Sequence, residues 1–144
     1  MQILPITPQS CEMDIIRRLL SDAGLPTDDL AEPQVLLWGA AHHGQLVGSV
    51  GLEHAGRAGL LRSLVVGPAW RGNGLAGRLC HFAFERARDA EMDALYLLTE
   101  SAAGYFRALG FAEIDRGEAP PEIAATQQFS SLCPGDAAFM RKRL

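Results

Sequence analysis

Apolar residues recur at helical spacing in two stretches of this chain and follow strand-like patterns through most of the rest. Over residues 12–20, Met13, Ile16, Leu19 and Leu20 fall on one helical face, and Ser10 is placed to accept a free N–H of the first turn. Asp22-Ala23-Gly24-Leu25-Pro26 stops that helix with a glycine and a proline. A second helix is predicted over 73–89, with Leu75, Leu79, Phe82 and Ala83 on one face and Arg78, Glu85, Arg86 and Arg88 mostly on others. Strand patterns occupy 1–7, 35–41, 45–53, 60–66, 94–98, 111–115 and 137–142, and His43-Gly44 makes a hairpin turn between the second and third. Residues 28–32 predict one turn before Pro33, and 102–109 a short helix closed by Gly110. A last helix opens at Pro120-Pro121-Glu122 and runs to about Cys133. The order β-α-β-β-β-α-β-α-β-α-β predicts one α/β domain over residues 1–144: a mixed, mostly antiparallel sheet of about seven strands flanked by helices.

The junction between the fourth strand and the second helix reads Arg71-Gly72-Asn73-Gly74-Leu75-Ala76. The first N–H groups of a helix lack intrahelical partners and lie at the positive end of its dipole, so they hold a phosphate well. Gly72 and Gly74 let an anion approach the main chain, and Arg71 adds charge. The junction predicts a site for a pyrophosphate-bearing cofactor.

Composition narrows the field. A formal net charge of -4 argues against a nucleic-acid partner, and no apolar run reaches membrane-spanning length. The start, Met1-Gln2-Ile3-Leu4-Pro5, lacks the pattern of a signal peptide. Cys11, Cys80 and Cys133 are too widely spaced for a disulfide framework or a zinc site, and no histidine has metal-ligand spacing. The expectation is a cytoplasmic protein with reduced thiols, no bound metal and a small-molecule substrate.

Gly72-x-Gly74-x-x-Gly77 also satisfies the dinucleotide-binding pattern, with Glu100 in the acidic role. That pattern needs its glycines directly after the first strand of a βαβ unit. Here Gly67-Pro68-Ala69-Trp70-Arg71 intervenes, and hairpin strands come first. The longer motif Leu64-x-Val66-x-Pro68-x-x-Arg71-Gly72-x-Gly74-x-Ala76 resembles the central motif of the GNAT superfamily of acyl-CoA-dependent N-acetyltransferases. The run from Ala103 to Phe111, with its closing Gly-Phe, is similar to that family's next helix and strand. The resemblance implies two central parallel strands that splay apart, with acetyl-CoA lying in the gap. It implies that Leu64, Val65 and Val66 offer main-chain groups to acetyl and pantetheine, that Arg71, Gly72, Asn73, Gly74, Leu75 and Ala76 hold the pyrophosphate, and that Phe106 lies beside the cofactor.

Acyl transfer to an amine needs a proton acceptor, a polarised carbonyl and a proton for the leaving thiolate. Glu53, at the end of a hairpin strand, is the candidate base; its other reading is a solvated turn carboxylate. The Val66 N–H is the candidate donor to the thioester oxygen. Many family members carry a tyrosine four residues before the glycine of Gly-Phe, where this chain has Phe106. Either the adjacent Tyr105 supplies the proton or water does. Arg62 sits in an otherwise apolar strand, sharing a face with Leu64 and Val66 by period two, and a buried guanidinium must be paired. Its partner is either a carboxylate of the chain, Glu53 or Glu100, or an anionic group of the substrate.

Residues 61–66, Tyr96-Leu97-Leu98-Thr99, and the tail from Ala119 through Leu132-Cys133-Pro134 resemble the arsenic-resistance-associated branch, similar to enzymes that acetylate arsinothricin and phosphinothricin. That resemblance implies a glutamate-like acceptor bound by Arg62, Ser63 and Thr99, with Thr126 nearby. An acyl-CoA sensor without turnover is the alternative. The apolar strand at 137–140 makes a homodimer plausible.

Overall fold

A computed structural model describes residues 1–133 and 135–144. Seven strands form one sheet: β1 (Gln2–Pro5), β2 (Val35–His42), β3 (Gln45–Ala55), β4 (Ala58–Val66), β5 (Ala94–Thr99), β6 (Ala112–Glu113) and β7 (Ala138–Arg143). Their order across the sheet is β1-β2-β3-β4-β5-β7-β6, and only β4 and β5 pair in parallel. Four helices accompany them: α1 (Cys11–Asp22), α2 (Leu75–Asp89), α3 (Ala103–Ala108) and α4 (Pro121–Ala124).

Local chemistry explains the main boundaries. Ser10 caps α1 by accepting the Met13 N–H at 3.3 Å. The helix ends with Gly24 at φ 75, donating to Ser21 O, while Leu25 N–H reaches back to Leu20 O. This left-handed stop turns the chain out of the helix at residues 23–26. His43 and Gly44 both have positive φ, as a two-residue hairpin joining twisted strands requires.

The helices cover both faces. Met13, Ile16 and Leu20 of α1 pack with Leu37, Leu46 and Val65 on one face. Leu79, Ala83 and Phe84 of α2 pack with Val50, Leu61, Leu95 and Phe106 on the other. Ile123 of α4 joins Leu60, Tyr96 and Phe139 in a third cluster.

The functionally decisive departure from a regular sheet is at the centre. β4 and β5 pair only through Ala58↔Ala94, Gly59↔Leu95 and Leu60↔Tyr96. Beyond that point β4 runs to Val66 and β5 to Thr99 without pairing, so the strands part and leave a wedge with unpaired main chain on its β4 side. Close approach at the joined end depends on Gly59, where an added Cβ would lie 2.5 Å from Met92 Sδ.

One sequence expectation is corrected. The last helix stops at Ala124 and resumes as a π-helical turn, Gln128–Leu132. Thr126 accounts for the break: its hydroxyl donates to Ile123 O at 2.7 Å and accepts the Phe129 N–H at 3.3 Å, offering the backbone an alternative to helix. Pro134 of the tail motif lies outside the described residues. Residues 28–32 form hydrogen-bonded turns, as the sequence predicts. β7 lies between β5 and β6, with Phe139 and Met140 buried.

Candidate functional site

The wedge between β4 and β5 opens into a cavity of about 610 Å³. Arg62, Ser63, Leu64, Val65 and Val66 form its β4 wall, and Leu97, Leu98 and Thr99 its β5 wall. Residues 23–26 after α1, together with Tyr105, Phe106, Gln128 and Cys133, complete its lining. At the wide end it reaches Arg71 and Ala76.

That wide end is the glycine turn. Gly72 and Gly74 have φ of 82 and 77, conformations that strain any residue with a Cβ. An added Cβ at either would meet nothing within 4 Å, so the turn faces open space. Gly74 is the N-cap of α2 and brings no capping side chain. The first intrahelical bond is donated by Arg78 to Gly74 O, leaving the Leu75, Ala76 and Gly77 N–H groups without helical acceptors. Arg71 folds back so that its Nε donates to Val66 O at 3.0 Å, tying the turn to the end of β4.

At the narrow end is a buried ionic cluster. Arg62 donates from Nη1 to Asp29 Oδ2 at 2.6 Å and to Glu53 Oε1 at 2.8 Å, from Nη2 to Asp29 Oδ1, and from Nε to Ser63 Oγ at 3.2 Å. The side chains of Arg62, Asp29 and Glu53 are no more than 2% exposed. Burial works against the guanidinium's charge, yet the hydrogen bonds and charge of Asp29, then of Glu53, outweigh it and raise its pKa. Burial likewise pushes the Cys133 thiol up.

Between the two ends, Ser63 has φ 56 in mid-strand. The β3–β4 register slips there, from Ser49↔Val65 to Gly51↔Arg62. This bulge re-aims β4: Leu61, Leu64 and Val66 pack toward α2, while Leu60 and Val65 belong to clusters on the opposite face.

A model of the acetyltransferase (GNAT) family matches residues 8–111. The chain belongs to the GNAT acetyltransferase family. It is an acyltransferase, and its fold is like that of solved acetyltransferase structures. N-acetylglutamate synthase from Neisseria gonorrhoeae, solved with coenzyme A and N-acetyl-glutamate, superposes with a TM-score of 0.79 at 18% identity, over 100% of this chain and 35% of that one. Rv2747 from Mycobacterium tuberculosis, solved with CoA and NLQ, gives 0.81 at 19% identity, over 100% and 99% of the two chains. A GNAT-family acetyltransferase from Staphylococcus aureus gives 0.74 at 19% identity over 99% of each. This chain therefore spans about a third of the synthase but nearly all of the other two. Comparison with curated protein sequences gives no match.

The GNAT fold brings most of the expected residues to one place. Arg62 through Val66, Arg71, Ala76, Thr99, Tyr105 and Phe106 all line the cavity. Gly72, Asn73, Gly74 and Leu75 continue from its wide end. Thr99 Oγ1 accepts the Ala102 N–H at 3.0 Å and so caps the turn into α3. Phe106 is buried, 5.8 Å from Phe111 ring to ring, whereas Tyr105 is 41% exposed. The Tyr105 hydroxyl approaches α2, 3.6 Å from where a Cβ on Gly77 would lie, and burial followed by the nearby Cys80 raises its pKa.

Other placements differ from the sequence reading. Arg62 does not share a face with Leu64 and Val66, because the bulge at Ser63 interrupts the two-residue period. Of its two suggested carboxylate partners, Glu53 makes the ion pair and Glu100 is exposed at the cavity rim. Glu53 is not a solvated turn carboxylate; it is buried behind Arg62 and is not among the lining residues of the large cavity. Thr126 faces a separate hollow of about 250 Å³ together with Glu53 and Gln34. Asp29 went unrecognised: in a polar turn of sequence, nothing marks one aspartate as the one that folds inward. Among the described residues no group of acidic, histidine or cysteine side chains is arranged to hold a metal, and no helix is long and apolar enough to cross a membrane.

Proposed function

We propose that this protein is an N-acetyltransferase that moves an acetyl group from acetyl-CoA to the amine of a small substrate by direct attack in a ternary complex. The observation that carries the reading is continuity: one cavity runs from the uncapped start of α2, along the free edge of β4, to the ionic cluster at Arg62. Bound there, acetyl-CoA would supply an activated acyl thioester. Arg71 and the main chain of Gly72 through Ala76 would hold its diphosphate, since free N–H groups at a helix start need no particular side chain to bind an anion. The main chain of Leu64 to Val66, which does not pair with β5, would align the pantetheine, and the Val66 N–H would donate to the thioester oxygen. Phe106 would form an apolar wall.

The acid–base assignments follow from access. Glu53 sits behind Arg62, so it takes the amine proton only through water. Tyr105 is at the α2 end of the cavity, and water supplies the thiolate's proton if Tyr105 does not. Positioning then supplies most of the rate.

For the acceptor, we favour a glutamate-like acidic amino acid or a toxic analogue of the arsinothricin or phosphinothricin type. Support comes from the resemblance of residues 61–66 and the tail, and from the likeness to a synthase solved with N-acetyl-glutamate. Ser63 and Thr99 would contact it from the two walls. Arg62 has one Nη2 donor outside the four bonds described, which limits it to a single hydrogen bond with an acidic group. Three free cysteines suit a reducing, cytoplasmic setting. The second reading, an acyl-CoA sensor, is favoured by one observation, the buried Phe106 where a tyrosine acid is usual.

Thiol release from acetyl-CoA with a panel of acidic and neutral amines tests both. Turnover with glutamate or its phosphinic analogue is expected. Turnover with neutral amines alone moves the acceptor class, and tight CoA binding with no turnover on any amine overturns the enzyme reading.

A further inference from the structure

The buried cluster does more than neutralise itself. Ser63 holds a positive φ that a non-glycine residue adopts only under constraint, and such strain persists where surrounding contacts over-determine it. Here the constraint comes from two directions. The hydroxyl of Ser49, itself fully buried, donates to Ser63 O at 2.7 Å across the β3–β4 pair. On the side-chain end, Arg62 Nε donates to Ser63 Oγ, and Asp29 grips both terminal nitrogens of the same guanidinium. Gly51 leaves room for the arrangement, because a Cβ there would lie 3.3 Å from both Arg62 Cγ and Arg62 O. The clamped residue immediately precedes Leu64, Val65 and Val66, whose main chain forms the free edge of the wedge.

We propose that Asp29, Arg62 and Ser49 are positioning residues that lock the Ser63 bulge, so that the Leu64–Val66 main chain is held aimed at the acyl end of the cavity. The inference rests on the acetyl-CoA reading above. Asp29 lies a few residues beyond the 23–26 segment that walls the cavity, so the clamp also ties that wall to the reacting end. The role differs from substrate binding: Arg62 acts through Ser63, and Asp29 acts through Arg62.

Two variants test it, Ser49→Ala, which removes one hydroxyl, and Asp29→Asn, which keeps the shape of the side chain. Backbone amide resonances are followed on saturation with acetyl-CoA, alongside thiol release with water and with glutamate as acceptors. In the wild-type protein both the Leu64–Val66 and the Leu75–Gly77 amides should shift. In Ser49→Ala the Leu75–Gly77 shifts and the KM for acetyl-CoA should stay within about threefold, while kcat falls about tenfold to a hundredfold and the Leu64–Val66 shifts collapse. Asp29→Asn should follow the same pattern. If it fails to fold, Ser49→Ala decides alone. Variants with wild-type shifts at Leu64–Val66 and wild-type kcat overturn the clamp while leaving the acetyl-CoA reading intact. A wild-type protein with no shift in either set overturns both.

Discussion

The two ends of the cavity are built on opposite plans. The wide end is made of backbone: two glycines at positive φ and the unsatisfied N–H groups of one helix, all within six consecutive residues. The narrow end is made of side chains from a loop, β3 and β4, with Asp29 33 residues from Arg62 in sequence and Glu53 9 residues away. A backbone site recognises what every acyl donor of one class shares, a diphosphate. On the proposed reading, the turn serves the acyl donor and the cluster positions the reacting end.

The cluster should fail the more severely of the two when damaged. Arg62→Met leaves two buried carboxylates without their cation, and breaking a buried pair this way costs about 3–5 kcal/mol. Urea denaturation should show that loss, and replacing Asp29 and Glu53 with leucine in the same chain should recover most of it. An Arg62→Met protein of wild-type stability would mean the three groups do not form a mutually dependent unit. At the other end, Gly74→Val forces a β-branched residue to φ 77 and puts a side chain where the diphosphate would lie. Affinity for CoA by calorimetry should fall about a hundredfold, equivalent to about 2.7 kcal/mol. Stability should fall less than in Arg62→Met. Undiminished CoA binding would remove the turn from the donor site and erase the contrast.

The same distinction explains what could be read from the chain. Ser10, Gly24, His43-Gly44 and Gly74 each act within a few residues of themselves, so the α1 boundaries, the hairpin and the start of α2 were all legible. The splayed sheet was accessible only through motif resemblance, since nothing in periodicity says that β4 and β5 stop pairing after Leu60 and Tyr96. At Arg62 the reasoning that a buried guanidinium needs partners was sound, and Glu53 was among those suggested. Its dominant partner, Asp29, was hidden because turn aspartates are common and the contact is long-range. Period two failed across Ser63 because one left-handed residue shifts every later side chain to the other face. The broken last helix came down to Thr126, whose hydroxyl competes with the helical hydrogen bonds of its neighbours.

Smaller effects sharpen the comparison further. Helix α2 presents the turn's N–H groups only while its inner face stays seated, and Cys80 lies fully buried on that face. Burial pushes its thiol up to about 12, from about 9 for a free thiol. The raised value means the folded protein resists an ionisation that the unfolded chain accepts, so this contribution is complete below pH 9 and is lost as pH rises toward 12. Unfolding free energy should therefore drop by about 1 kcal/mol between pH 9 and 10. Cys80→Ala should flatten most of that slope in chemical denaturation, and an unchanged slope would show that the thiol is not what titrates.

The smallest expected effect concerns Tyr105, an ionisable side chain that lines the cavity. Its hydroxyl leans on α2 near Gly77, not toward the Arg62 end, and its raised pKa keeps it protonated through neutral pH. A positioned general acid is worth about a hundredfold or more in rate. If water protonates the leaving thiolate, Tyr105→Phe should lower kcat by less than about tenfold with KM for acetyl-CoA little changed. Moving the hydroxyl one residue on, in the double variant Tyr105→Phe with Phe106→Tyr, separates position from chemistry: Phe106 packs against Phe111 beside the cavity, where the family's usual tyrosine would stand. A rate above wild type in that double variant would mean this chain runs without an acid its fold can accommodate. A hundredfold loss in Tyr105→Phe alone would instead install Tyr105 as the acid and make the donor end a place of chemistry as well as of binding.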